Sequence, residues 1–218
     1  MALLDGSLPV KATGLALCVI VGLLMLANPV EVIGDRMVIR SASGYQTVSL
    51  LDGGRTGLYY DHAEAIGVLH PETKKVVLLG LGGGEMLRAA RRTLPDAELI
   101  GVELSPYIAE VARSQFHVGD FGVKVVVDDA GAYVAKMAPQ STDALLVDVY
   151  NDTEIPAYFQ SLPFFRLCHM ALSPKGLLMM NVFPAELAQT LEVVMKLSGF
   201  SAVHRVPAGP NVVLTAER

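Results

Sequence analysis

Four apolar runs in this chain are each followed by an acid, and the first also by a turn of glycines. Val76–Leu79 leads into Gly80-Leu81-Gly82-Gly83-Gly84-Glu85, and Leu99–Val102 into Glu103. Val123–Val127 leads into Asp128-Asp129-Ala130, and Ala144–Val147 into Asp148-Val149-Tyr150-Asn151-Asp152. Glycine lets the backbone turn sharply and lets a ligand approach it closely, and a helix beginning there offers unpaired N–H groups. An acid about 20 residues beyond such a turn can accept hydrogen bonds from both hydroxyls of a ribose, which is the place of Glu103. The bland alternative for Glu103 is a carboxylate near the next helix start, where Ser105-Pro106 also signal a cap. An acid after a run as apolar as Ala144–Val147 is costly to bury without a partner or a task, which singles out Asp148. Of Asp128 and Asp129, one is expected to cap the following helix, leaving the other free for an adenine amino group. Together with Glu85, these acids would surround a cation. A pyrophosphate would be repelled by Glu85, whereas an adenosyl-sulfonium compound fits, and NAD is disfavoured on that ground.

The elements that must position these groups follow from periodicity. Short alternating stretches at Met37–Arg40, Gln46–Leu51 and Gly57–Tyr60 predict strands, with Asp52-Gly53-Gly54 as a hairpin turn. Beyond Pro71 the spacing predicts strands over 76–79, 99–102, 123–127, 144–149 and 177–182. Helices are predicted over 85–94, 106–116, 130–137, 159–172 and 185–197. Two last stretches, Phe200–Val206 and Asn211–Thr215, leave no room for a helix between them and are expected to pair antiparallel. Apolar strands alternating with amphipathic helices imply a parallel sheet covered on both faces. The fold class is therefore α/β, a Rossmann-like, class I methyltransferase-like mixed sheet of seven strands with a small N-terminal β-hairpin. The expected division is a hydrophobic segment over 1–34, a hairpin region over 35–62 and the Rossmann-like domain over 63–218.

The 218 residues are 52% hydrophobic with a mean hydropathy of +0.44, and much of that excess lies in the first 33. Gly14–Ala27 carries no charge; extended to Ile33 it reaches a length that can cross a bilayer core as a helix. This predicts a membrane anchor over 14–33, with a signal-peptide core or a buried helix as alternatives. Lys11 before it and Arg36 and Arg40 after it lean toward a catalytic domain on the cytoplasmic side, at the inner face of the membrane. A formal net charge of −5 and no Lys/Arg block argue against a nucleic-acid partner. Cys18 and Cys168, far apart in apolar contexts, form no disulfide framework.

From about Ser41 to Thr215 the chain resembles spermidine synthases and other polyamine aminopropyltransferases. The pieces are Gly44-Tyr45-Gln46-Thr47-Val48, the GGGE turn at Gly82–Glu85, Val102-Glu103-Leu104-Ser105-Pro106, Asp128-Asp129-Ala130, and Asp148 with Asn151. Phe164-Phe165, Leu172-Ser173-Pro174-Lys175-Gly176-Leu177 and Asn211-Val212-Val213-Leu214 extend it. The resemblance implies that Gln46 contacts a sulfonium donor and that Glu85 stands for an aspartate holding the donor's aminopropyl amine. It further implies that Glu103 binds ribose, that Asp129 and Ala130 bind adenine, and that Asp148 positions and deprotonates an attacking amine beside Tyr150 and Asn151. It implies decarboxylated S-adenosylmethionine as co-substrate, no metal, a small amine acceptor and a homodimer.

Three departures stand out. Glu85 is followed by Met86-Leu87 where the family reads GGGDGG, and neutral Asn151 sits where a second acid is expected. Between Tyr60-Asp61-His62 and Pro71 only Ala63–Leu69 is left for a helix that lines the acceptor site in relatives, with His62 either a remnant of it or a solvated turn residue. Aminopropyl transfer is thus the first expectation. Methyl transfer from S-adenosylmethionine to a small or membrane-associated acceptor is the second, and a non-catalytic binding protein on the same fold the third.

Overall fold

Alternating side chains on short buried strands set the frame of the computed structural model, which describes residues 29–218. Strands β4 (Lys75–Leu79), β5 (Glu98–Glu103), β6 (Val123–Val127), β7 (Thr142–Val147) and β8 (Leu172–Val182) run parallel in the order β6-β5-β4-β7-β8. The sheet is completed by β9 (Ser201–Ala208) and β10 (Asn211–Glu217), with β10 antiparallel to both β8 and β9. This is the seven-stranded mixed sheet expected from the sequence.

Six α-helices are described: α1 (Glu64–Leu69), α2 (Glu85–Thr93), α3 (Pro106–Ser114), α4 (Ala130–Lys136), α5 (Leu162–Ala171) and α6 (Leu187–Leu197). Because successive strand residues point to opposite faces, Val77, Leu79, Leu145 and Val147 join a core with α4, α5 and α6. Val76, Leu78, Ala144 and Leu146 join the other core with α1, α2 and α3. Helix starts obey local chemistry: Ser105 Oγ accepts the Ile108 N–H at 3.2 Å ahead of Pro106, and Ser161 Oγ accepts that of Phe164 at 3.4 Å. The helix expected over 159–172 begins later, at Leu162, because Ala157–Gln160 first make a separate 3-10 turn.

The N-terminal region differs from the expected hairpin. Val30–Ile33, the end of the predicted anchor, form a strand, β1, which pairs antiparallel with β2 (Arg36–Arg40), and β2 pairs with β3 (Tyr45–Leu50), giving a three-stranded sheet. Residues 14–28 of that segment lie outside the described residues. Among the described residues no helix is long and apolar enough to cross a membrane. Gly57–Tyr60 do not form a strand, and Asp52-Gly53-Gly54 joins no hairpin. Instead the chain enters a 3-10 turn over Tyr59–Ala63 and continues into α1. Charge pairing holds that turn: Arg92 on α2 reaches Asp61 at 2.9 Å and Glu64 at 2.6 Å, and Arg55 reaches Glu64 at 2.7 Å. The Arg55 hydrogen bond, supported by Arg92, holds Glu64 well below the usual carboxylate range.

Candidate active site

The strand order changes direction between β4 and β7, and in an open α/β sheet a crevice opens where the strands on either side of such a point end. Here the carboxyl end of β4 becomes the glycine turn and that of β7 becomes Asp148. The two ends lie against each other: the Asp148 N–H donates to the Leu79 carbonyl at 2.8 Å. Gly80 has φ +86°, and a Cβ on it would lie 2.1 Å from the Asp148 carbonyl oxygen, so a side chain is excluded there.

A cavity of about 730 Å³ opens above this junction, within the range of sites for nucleoside-sized ligands. Its wall gathers Gln46, Gly80, Gly82, Glu85, Glu103, Leu104, Asp129, Ala130, Asp148, Tyr150 and Asn151 from among the residues singled out in the sequence. Gly83, Gly84 and Asp128 are not on the wall. The Gly83 N–H is taken by Thr47 Oγ1 at 3.0 Å, and Gly84, at φ +82°, starts α2. Asp128 turns to Lys136, 3.1 Å away, while Asp129 both caps α4, accepting the Ala132 N–H at 2.8 Å, and faces the cavity. The acid that caps the helix is thus the one on the wall: this departs from the expectation drawn from capping alone, while Asp129 and Ala130, the pair named by the resemblance, both line the cavity.

The glycine turn is fixed from two sides. Glu103 accepts the Gly82 N–H at 3.1 Å with one oxygen and the Ser105 N–H at 3.0 Å with the other. Each carboxylate oxygen accepts two bonds, so both retain capacity toward a ligand. Thr47, brought in by β3, holds the other side.

Glu85 does not present the open negative charge expected of it. Its side chain is 1% exposed, and Oε1 accepts from Ser49 Oγ at 2.7 Å and Arg88 Nε at 2.9 Å. Burial pushes its carboxyl up, against the pull of Ser49 and Arg88. The acid is half of an ion pair with Arg88 at the edge of the cavity.

Asp148 is held by both oxygens. The Tyr59 hydroxyl donates to Oδ2 at 2.9 Å and Asn181 Nδ2 to Oδ1 at 2.9 Å. Burial pushes its carboxyl up to about 6, with Asn181 and Tyr59 pulling the other way. Burial and the nearby Asp148 charge raise the Tyr59 phenol well above its ordinary value, which keeps it protonated and donating. Tyr150 lends its ring to the wall, but its hydroxyl donates to the Asn181 carbonyl at 3.1 Å and accepts the Phe183 N–H at 2.8 Å. Asn151 bridges Glu154 through the backbone at 2.8 Å. Next to it Asp152 Oδ1 accepts from Ser43 Oγ at 2.8 Å, joining this loop to the β2–β3 turn.

Three groups of the site escaped the sequence reading. Tyr59 falls in a stretch whose alternation predicts a strand, Thr47 acts through the fold alone, and Asn181 is a polar residue in the otherwise apolar run Leu177–Val182. That interruption of an apolar strand is the signal that could have found Asn181. His62 lies in the 3-10 turn and is not on the cavity wall.

No protein-family model matches the chain. It is 30% identical over 155 residues to a probable polyamine aminopropyl transferase of Bifidobacterium longum, covering 70% of this chain and 34% of that protein. It is 38% identical over 113 residues to a polyamine aminopropyltransferase of Chromobacterium violaceum, covering 50% of this chain and 42% of that protein. The chain thus spans about a third to two fifths of the length of these curated relatives. Among solved structures, a probable spermidine synthase from Corynebacterium glutamicum matches with a TM-score of 0.73 at 22% identity, over 86% of this chain and 75% of that one. That likeness is one of fold.

Proposed function

Because this chain belongs to the family of polyamine aminopropyltransferases and spermidine synthases, we propose that it transfers an aminopropyl group from decarboxylated S-adenosylmethionine to a small amine. The observation that carries the reading is Asp148, a carboxylate gripped by Tyr59 and Asn181 at the switch point of the sheet. In the reaction the amine nitrogen attacks the carbon beside the sulfonium. A C–N bond forms, the C–S bond breaks, and its electron pair stays on sulfur as the neutral thioether methylthioadenosine. The proton lost by the amine goes to Asp148 and then to solvent. The Asp148 carboxyl at about 6 is ionised at neutral pH, yet close enough to it to take and release a proton. Most of the remaining rate enhancement comes from alignment of donor and acceptor.

On this reading the adenosyl part lies along Gly80 and Gly82, with Glu103 on the ribose and Asp129 and Ala130 at the adenine. Leu104, 69% exposed at the wall, offers an apolar face to the base. Gln46 meets the sulfonium end, Glu85 steadies the turn from below, and Tyr150 and Asn151 border the acceptor. Where the resemblance implies a longer helix along the acceptor, Tyr59 and Tyr60 of the 3-10 turn line this cavity and would border the acceptor. A homodimer belongs to the same reading, supported by the exposed Val32 and Ile33 on the edge strand β1. So does attachment to the inner face of the membrane through residues 14–29, ahead of β1.

The Glu85–Arg88 pair favours a second reading, methyl transfer from S-adenosylmethionine, because Ser49 and Arg88 already engage one oxygen of the acid beside the turn. Incubation of the protein with either donor and a panel of amines separates the two. Aminopropyl transfer releases methylthioadenosine, and methyl transfer releases S-adenosylhomocysteine.

A further inference from the structure

We infer that Asn211, at the start of β10, is a positioning residue for Asp148 that acts through Asn181. Asn211 Nδ2 donates to Asn181 Oδ1 at 2.8 Å, and Asn181 Nδ2 donates to Asp148 Oδ1 at 2.9 Å. The register of the sheet makes this possible: Val213 pairs with Asn181 across β10 and β8, which sets Asn211 just beyond it on the cavity side.

An asparagine amide has two ends of nearly equal shape and opposite hydrogen-bonding sense. Asn181 is 3% exposed, so no bulk water is at hand to serve whichever end faces Asp148. Turned around, its carbonyl would face a carboxylate, setting acceptor against acceptor. The donor supplied by Asn211 ties down the carbonyl end and so commits the amide end to Asp148. The terminal hairpin thereby sets the proton affinity of a carboxylate that follows β7.

Few other groups near Asp148 titrate. Tyr59 and Tyr60 face it from the 3-10 turn and Tyr150 from its own loop, and all three phenols are raised above their ordinary value. Glu85 lies beyond Tyr60 at the head of α2, and β8 and β10 contribute only the two amides. Between pH 4 and 9 the neighbouring phenols therefore stay neutral.

The inference draws on the proposed function only for the task of Asp148, and its test needs neither donor nor acceptor. In the full chain labelled with 13C at aspartate carboxyls, the Asp148 signal is identified by its loss in Asp148→Asn, and its midpoint is followed with pH. Losing a donor to the carboxylate favours its protonated form. Asn211→Leu is therefore expected to raise the midpoint by about one pH unit, and Asn181→Leu by a similar amount. The double variant should add nothing further. Asn211→Asp should raise it more, because the new carboxylate turns the Asn181 amide around and adds a negative charge. Where a melting curve shows Asn211→Leu to be unfolded, Asn211→Ala is read in its place. A midpoint unmoved by the Asn211 changes overturns the inference, even in an enzyme that transfers aminopropyl groups. A raised midpoint upholds it, even where no transfer is detected.

Discussion

Tyr59 and Asp148 are 89 positions apart in the chain and meet through a 2.9 Å hydrogen bond, hydroxyl to Oδ2. The bond ties the segment that follows the N-terminal sheet to the switch point of the main sheet. It explains why a chain with so short a connection before β4 still has a wall opposite Asp148. The turn that carries Tyr59 is itself clamped to α2 by Arg92, so the phenol is delivered by rigid elements on both sides.

Because the Asp148 carboxyl stands at about 6 and must be ionised to accept a proton, transfer should rise with pH through about 6 and level off above it. Asp148→Asn should reduce turnover by about 10²–10⁴-fold while leaving donor affinity within a few fold. In Tyr59→Phe the carboxylate loses a donor, so the rising limb should move to higher pH. Rate profiles between pH 5 and 9 check both, and a limb that stays in place in Tyr59→Phe would remove Tyr59 from the account.

The raised Asp148 carboxyl also has a consequence for stability. A folded value above the unfolded one means the native state holds the proton longer. The contribution is therefore complete below the ordinary carboxylate range and is lost as pH rises through about 6. Asp148→Asn should accordingly raise the melting temperature at pH 8, where the parent carries a buried charge, and change it little at pH 4. Calorimetry at the two values decides it, and an equal effect at both would contradict the desolvation argument.

Gly80→Ala should be among the most damaging single changes. The added Cβ would lie 2.1 Å from the Asp148 carbonyl oxygen at a backbone with φ +86°, costing about 2–4 kcal/mol. Chemical denaturation should show that loss, together with weaker donor binding, because both strand ends must shift. A variant of parent stability would mean the two ends are looser than the structure has them.

Glu85→Gln tests whether that acid serves the ligand or the fold. With Oε1 bound by Arg88 and Ser49, the expected result is a stability loss of about 2 kcal/mol. Affinities for decarboxylated S-adenosylmethionine and S-adenosylmethionine should change alike. A selective tenfold loss for the decarboxylated donor would show instead that Glu85 holds its amine.

What could be read in the sequence was what obeys local rules. Buried parallel strands, caps such as Ser105 before Pro106, and acids placed after apolar runs all arise from short-range patterns, and Glu103 and Asp148 were visible for that reason. The state of Glu85 was not, since its neutralisation depends on Arg88 one helical turn away and on Ser49 from another sheet. Local pattern alone did not separate Asp128 from Asp129, which only the family resemblance did, because cap geometry and cavity direction are decided together by the fold. Tyr59 was lost to a short β-like stretch whose conformation is set by the Arg92 clamp, a tertiary effect that overrides propensity. Val30–Ile33 went the same way: an apolar run reads equally as the end of a long helix or as a strand, until β2 offers a partner.

The central claim is tested most directly by supplying the protein with decarboxylated S-adenosylmethionine and a panel of small amines and measuring methylthioadenosine by chromatography. Stoichiometric release of methylthioadenosine with an aminopropylated amine, abolished in Asp148→Asn, is the predicted result. No methylthioadenosine with any amine, alongside S-adenosylhomocysteine formed from S-adenosylmethionine, would contradict the account.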